Sequence, residues 1–149
     1  MRIRDIHVDH FGILRDVTIP VPDTAGPFVI LGENEAGKST LLAFLRAVLL
    51  GIPKGRPKDE TIYPMADTRI GALDLDTGTH GRLLLERRRG PHGGGVTLTD
   101  ADGNEKPPEV LREVVGGVDR ELYRLIYGFS LQELQDVGTV TGDAVAGAF

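Results

Sequence analysis

The chain has 149 residues, the length of one ordinary domain. Hydrophobic residues make up 40% and charged residues 26%, a balance that excludes disordered and fibrous classes. The absence of cysteine excludes a disulfide framework, and the net charge of -5 excludes a wholly basic nucleic-acid binder.

No apolar run approaches the roughly 18 residues that a membrane span requires. The opening Met1-Arg2-Ile3-Arg4-Asp5-Ile6 alternates charge with apolar side chains, unlike a secretory signal. A cytoplasmic protein with no membrane contact is therefore expected. The four histidines, His7, His10, His80 and His92, have no metal-ligand spacing. Charge is distributed unevenly, with a net positive middle third and a strongly acidic final third.

Residues 2–8 read as a strand, with Ile3, Ile6 and Val8 apolar and charged residues between them. A turn at His10-Phe11-Gly12 leads into a second strand over 13–21, closed by Pro20 and Pro22. Phe28-Val29-Ile30-Leu31 is a short continuous apolar run, the pattern of a strand buried on both faces. A core helix is predicted over 38–50, with Gly51 as its C-cap and Pro53 blocking continuation. Residues 51–66 read as a surface loop. Strands over 70–75 and 81–88 follow, joined by Asp76-Thr77-Gly78, and the glycine-rich stretch 90–95 leads to a strand over 96–99. Ala101-Asp102-Gly103-Asn104 is a turn. Pro108 opens a helix to about Val115, ended by Gly116-Gly117, and Asp119 caps another through Ile126.

Between the apolar run and the core helix stands Gly32-Glu33-Asn34-Glu35-Ala36-Gly37-Lys38-Ser39. It matches the phosphate-binding pattern G-x-x-x-x-G-K-[ST], which arises by chance in a chain this long about once in a hundred. Gly32 and Gly37 are expected to permit backbone angles that a side chain would block. The loop N–H groups then turn inward around phosphate oxygens, and the helix N-terminus faces the same anion. Lys38 has the reach for the β- and γ-phosphates, and the Ser39 hydroxyl is a candidate ligand for Mg2+. Ala72-Leu73-Asp74-Leu75-Asp76 is the nearest approach to a second acidic metal-binding strand. Its apolar run is too short, and it reads as an amphipathic strand.

The order of these elements resembles a known family. The resemblance rests on the strand from residue 2, the Phe11-Gly12 turn, and Gly-Glu-Asn-Glu-Ala-Gly-Lys-Ser-Thr at 32–40. It also rests on the leucine-rich helix, Arg87-Arg88-Arg89, and Tyr123 through Phe129-Ser130-Leu131-Gln132-Glu133-Leu134-Gln135. Together these are similar to the N-terminal ATPase segment of the SMC-like ABC ATPases, the SbcC and RecF relatives, and most nearly the bacterial YhaN-like proteins. The resemblance covers nearly the whole chain. It implies an α/β P-loop NTPase fold, the N-terminal lobe of an ABC/SMC-like head, with a central sheet and an antiparallel β-subdomain. It further implies that 1–149 is a fragment. A C-terminal lobe beyond a coiled coil supplies the signature, the Mg2+-binding Asp and the catalytic Glu, and two heads sandwich ATP in a homodimer.

Carried over residue by residue, the resemblance assigns Gly32, Asn34, Glu35, Ala36, Gly37, Lys38, Ser39 and Thr40 to ATP and Ser39 to Mg2+. Gln132, with Gln135 as second choice, is its candidate for touching Mg2+ and the attacking water, although the family's Gln-Gly pair is absent here. Arg87, Arg88 and Arg89 are candidates for DNA-phosphate contact, extended by Lys54, Arg56 and Lys58; a solvated edge strand is the competing reading. The function expected is Mg-ATP binding by half of an ATPase head that acts on DNA, with this chain alone inactive in hydrolysis. A small-molecule kinase and a non-catalytic module gated by nucleotide are the alternatives.

Overall fold

A computed structural model of the chain describes residues 1–23, 26–52, 68–90 and 93–128. The chain forms two units, Met1–Gly117 and Val118–Phe149.

The first unit is built on a six-stranded antiparallel sheet. Its strands are β1 (Arg2–Phe11), β2 (Leu14–Pro20), β3 (Arg69–Asp76), β4 (Arg82–Arg88), β5 (Val96–Asp100) and β6 (Glu105–Lys106). Their spatial order is β2-β1-β3-β4-β5-β6. Apart from the β1–β3 pairing, every neighbour in the sheet is also a neighbour in sequence. Tight turns account for this: Gly12 between β1 and β2 and Gly103 between β5 and β6 both have positive φ.

Alternation along each strand creates one apolar face. Ile6, Leu73, Leu85 and Leu98 pair in a row across four strands, and all are buried. Helix α1 (Lys38–Leu50) contributes Phe44, Ala47 and Val48 to the same core. The Phe44 ring meets Phe11 edge-on at 5.5 Å between centroids, a favourable aromatic geometry.

The register of β3 slips between Arg69 and Gly71. At Gly71 the β1 backbone and the Phe44 ring come so close that a Cβ would lie 2.1 Å from the His7 carbonyl oxygen. Glycine is required there for close approach.

The opposite face carries ion pairs. Asp74 accepts from Arg82 at 2.6 Å. Arg69 joins Asp9 on β1 to Glu86 on β4, bridging three strands. The Leu73 and Leu75 side chains thus point inward while Asp74 and Asp76 are occupied by arginines, Asp76 by Arg4 at 2.9 Å. That is the amphipathic strand expected for this segment.

Helix α2 (Glu109–Val114) ends as glycine predicts. Gly116 and Gly117 take positive φ, and their N–H groups donate to Glu113 and Arg112. In the second unit, α3 (Arg120–Ile126) starts at Asp119, whose carboxylate accepts the Leu122 N–H at 2.8 Å.

One expected strand is not formed. Phe28–Leu31 lies outside the sheet, with Phe28 41%, Val29 67%, Ile30 37% and Leu31 88% exposed. An apolar run becomes a buried strand only when neighbouring strands and layers enclose it. None of the six described strands pairs with it. The described residues therefore form one antiparallel sheet and the helices α1, α2 and α3, and a second, central sheet is absent among them. No helix among the described residues is long and apolar enough to cross a membrane.

Candidate functional site

Three elements converge on the Gly32–Lys38 loop. Phe28–Leu31 leads in, α1 leads out, and the β1–β2 turn presses on its end. Gly37 precedes the helix at φ 92 in the left-handed region, and its carbonyl accepts the Leu41 N–H at 2.8 Å. A Cβ on Gly37 would stand 2.8 Å from Leu14 Cδ2 and 3.3 Å from Ile13 Cδ1. Gly37 thus serves for both angle and space.

Gly32 differs from expectation. Its φ is not positive; what it supplies is room, because a Cβ there would come within 3.2 Å of the Ala36 Cβ. The positive φ falls instead on Glu35, at 65. A non-glycine residue in that region stores backbone strain on the order of 1–3 kcal/mol, a feature concentrated at functional sites. Periodicity and motif matching carry no signal for it.

Residues 32–36 are exposed, as are Lys38 and Ser39, while Gly37 is buried. The Ala36 N–H donates to the Glu33 carbonyl at 3.3 Å. The N–H groups of Asn34, Glu35 and Gly37 have no backbone partner among the described residues. The first N–H groups of a helix also lack intrahelical acceptors, and α1 has no acidic residue in its first turn to offset its dipole.

The Lys38 ammonium folds back over the loop, donating to the carbonyls of Gly32 at 2.8 Å and Glu33 at 2.6 Å. A cation, a row of open amides and a 13-residue helix N-terminus are therefore gathered at one exposed loop. Chemically this is a donor set for a polyanion, and it fits a nucleotide's phosphates. Ser39 and Thr40 follow on the first turn of α1.

The arginine run divides. Arg87 is 5% exposed. Its Nε and Nη2 donate to the Val48 carbonyl at 3.1 and 2.8 Å, and its Nη1 reaches the Gly94 carbonyl at 3.4 Å. It is committed to the end of α1, which corrects its assignment to DNA. Strand alternation is the reason: Leu83, Leu85 and Arg87 share the inward face of β4. Arg88 and Arg89 are exposed. Lys54, Arg56, Lys58, Gln132 and Gln135 lie outside the described residues, as do His92 and the stretch from Phe129 onward.

The AAA domain family matches residues 1–144. Protein YhaN of Bacillus subtilis (strain 168) is 31% identical over 97% of this chain, and the chain spans 14% of that relative's length. The resemblance to the N-terminal ATPase region of YhaN-like proteins is thereby shown, together with a nucleotide-binding ATPase ancestry. The chain belongs to the AAA domain family.

Proposed function

We propose that the chain binds Mg-ATP at Gly32–Thr40 as the N-terminal half of an SMC-like ATPase head. The observation that carries this reading is the exposed loop on which Lys38, open amides and the α1 N-terminus converge. Lys38 would exchange its two carbonyl contacts for phosphate oxygens, and the loop amides would hold the β-phosphate. Mg2+, bound through the Ser39 hydroxyl and the phosphates, would neutralise charge on the nucleotide.

The head's remainder would be a C-terminal lobe. The support is Phe28–Leu31, whose apolar side chains are exposed immediately before the phosphate loop. Phosphoryl transfer needs several positioned charges. The acids of β3 are held by arginines, so hydrolysis awaits acids from that other lobe, and two such heads would close on ATP as a homodimer. Such a head would couple ATP binding to DNA. Here the candidate contacts reduce to Arg88 and Arg89 among the described residues.

Calorimetry with Mg-ATP on the wild type and Lys38→Ala tests the reading. Binding by the wild type that weakens at least about tenfold in the variant is expected, since the substitution removes a charge-assisted contact to phosphate. Equal affinities would reject it.

A further inference from the structure

Arg87 does something that the established family assignment does not ask of it. A guanidinium taken out of water is unfavourable unless its donors are satisfied, and an apolar residue of similar volume often packs as well or better. Arg87 nonetheless stands on the inward face of β4 beside Leu85. Among the described residues it donates to two main-chain carbonyls: Val48 in the last turn of α1, and Gly94 in the connection to β5. The last carbonyls of a helix have no intrahelical donors, and α1 has no basic residue of its own in its last turn. The same connection closes on the helix end a second time, through the Ile52 N–H donating to the Gly93 carbonyl at 2.8 Å.

Among the described residues, contacts hold helix α1 at its start, middle and end. Leu14 and Ile13 press on Gly37 at its start, Phe44 sits against Phe11 and Gly71 midway, and Arg87 grips its end. The first two contacts are apolar and non-directional; the third is directional. Lys38 lies six residues, about 9 Å, before Phe44 along the axis. A tilt of about 6° around Phe44 moves Lys38 by about 1 Å. A misplacement of that size at a reactive or binding group can cost about a hundredfold.

We infer that Arg87 is a positioning residue for the phosphate loop, acting through helix α1. This rests on the nucleotide-binding reading above. It assigns Arg87 to the aim of Lys38 and Ser39, and not to any contact with nucleic acid.

The test compares wild type, Arg87→Met, Arg87→Lys and Leu98→Ala. Leu98 is buried on β5, so its truncation lowers stability while removing none of the Arg87 hydrogen bonds to Val48 and Gly94. Two readouts are taken: Mg-ATP affinity by calorimetry, and amide exchange along α1 without nucleotide. Arg87→Met should weaken Mg-ATP about tenfold or more, with Arg87→Lys intermediate and Leu98→Ala unchanged. Exchange in Arg87→Met should rise over 41–45 as well as 47–52. Should Arg87→Met not fold, Arg87→Lys carries both readouts, with the same signs. A wild-type affinity retained in the Arg87 variants, a loss of affinity matched by Leu98→Ala, or exchange that rises only over 47–52 overturns the inference. A wild type that binds no Mg-ATP overturns the nucleotide reading instead, and the exchange pattern still decides whether Arg87 aims the loop.

Discussion

Leu14 Cδ2 occupies the space directly over Gly37, 2.8 Å from where a Cβ would be. The β1–β2 turn and the phosphate loop are thus in contact, and the loop's last glycine answers to that contact as well as to its own φ of 92. The two demands can be separated. Gly37→Ala should destabilise the chain by about 2–4 kcal/mol, combining left-handed strain with overpacking. In Leu14→Ala/Gly37→Ala the clash is relieved and the strain remains. Urea denaturation should show the double variant recovering part of the loss beyond additivity. Strict additivity of the two single variants would refute the contact.

Gly71 poses a harsher constraint. A methyl group there would meet the His7 carbonyl oxygen at 2.1 Å and the Phe44 ring at 2.8 Å. Backbone cannot move aside as a flexible side chain does. Gly71→Ala should therefore disrupt the β1–β3 pairing and cost more than about 3 kcal/mol. A thermal midpoint within a few degrees of wild type would show that the slip between Arg69 and Gly71 is not needed.

The β5–β6 turn gives a pH-dependent effect. The Asp100 carboxylate accepts from Lys106 at 2.6 Å and from the Asn104 N–H at 2.8 Å. The Lys106 contact first, and the Asn104 backbone second, hold Asp100 well below its ordinary value of 3.8. A folded-state value below the unfolded one means that the unfolded chain takes up the proton first as pH falls. The stabilisation is present above about pH 4 and is lost progressively below it. Urea midpoints measured from pH 5 down to pH 2 should fall less steeply in Asp100→Asn than in wild type. Parallel curves would contradict this role.

Much of this fold is written in local pattern. Helix α1 is legible to the residue, from Lys38 to Leu50, because motif, apolar spacing and Gly51 all agree. The strands are legible through alternation and turn chemistry, with ends shifted by up to three residues, as in β1, which continues to Phe11. Strand β6, Glu105–Lys106, is not legible: two polar residues carry no period, and pairing with Leu98 and Thr99 creates the strand. The strain at Glu35 and the grip of Arg87 on Val48 are also invisible, because both are products of tertiary packing. Three consecutive arginines suggest a solvated or nucleic-acid-facing patch; the pleat turns the first of them inward. The phosphate loop is legible because its chemistry is carried by consecutive residues.

Phe28–Leu31 is where sequence pattern and structure part, and it yields the last prediction. Four apolar residues that read as doubly buried are exposed, Leu31 at 88% and Val29 at 67%. Apolar side chains left in water contribute little to the stability of the unit that carries them. Val29→Glu/Leu31→Glu should therefore leave the thermal midpoint of this chain within about 2 °C of wild type, as for a surface substitution. Contiguous exposed apolar surface favours association. The wild type should self-associate at tens of micromolar, and the variant should sediment more nearly as a monomer. Adding the proposed C-terminal lobe in trans should raise the wild-type midpoint and leave that of the variant unchanged, since binding to the folded state alone stabilises it. Sedimentation velocity and thermal melts, run on both proteins, decide the matter. A variant that melts more than 10 °C below wild type would mean that these side chains are already enclosed within the chain. A monomeric wild type unaffected by the added segment would mean that nothing docks on this strip.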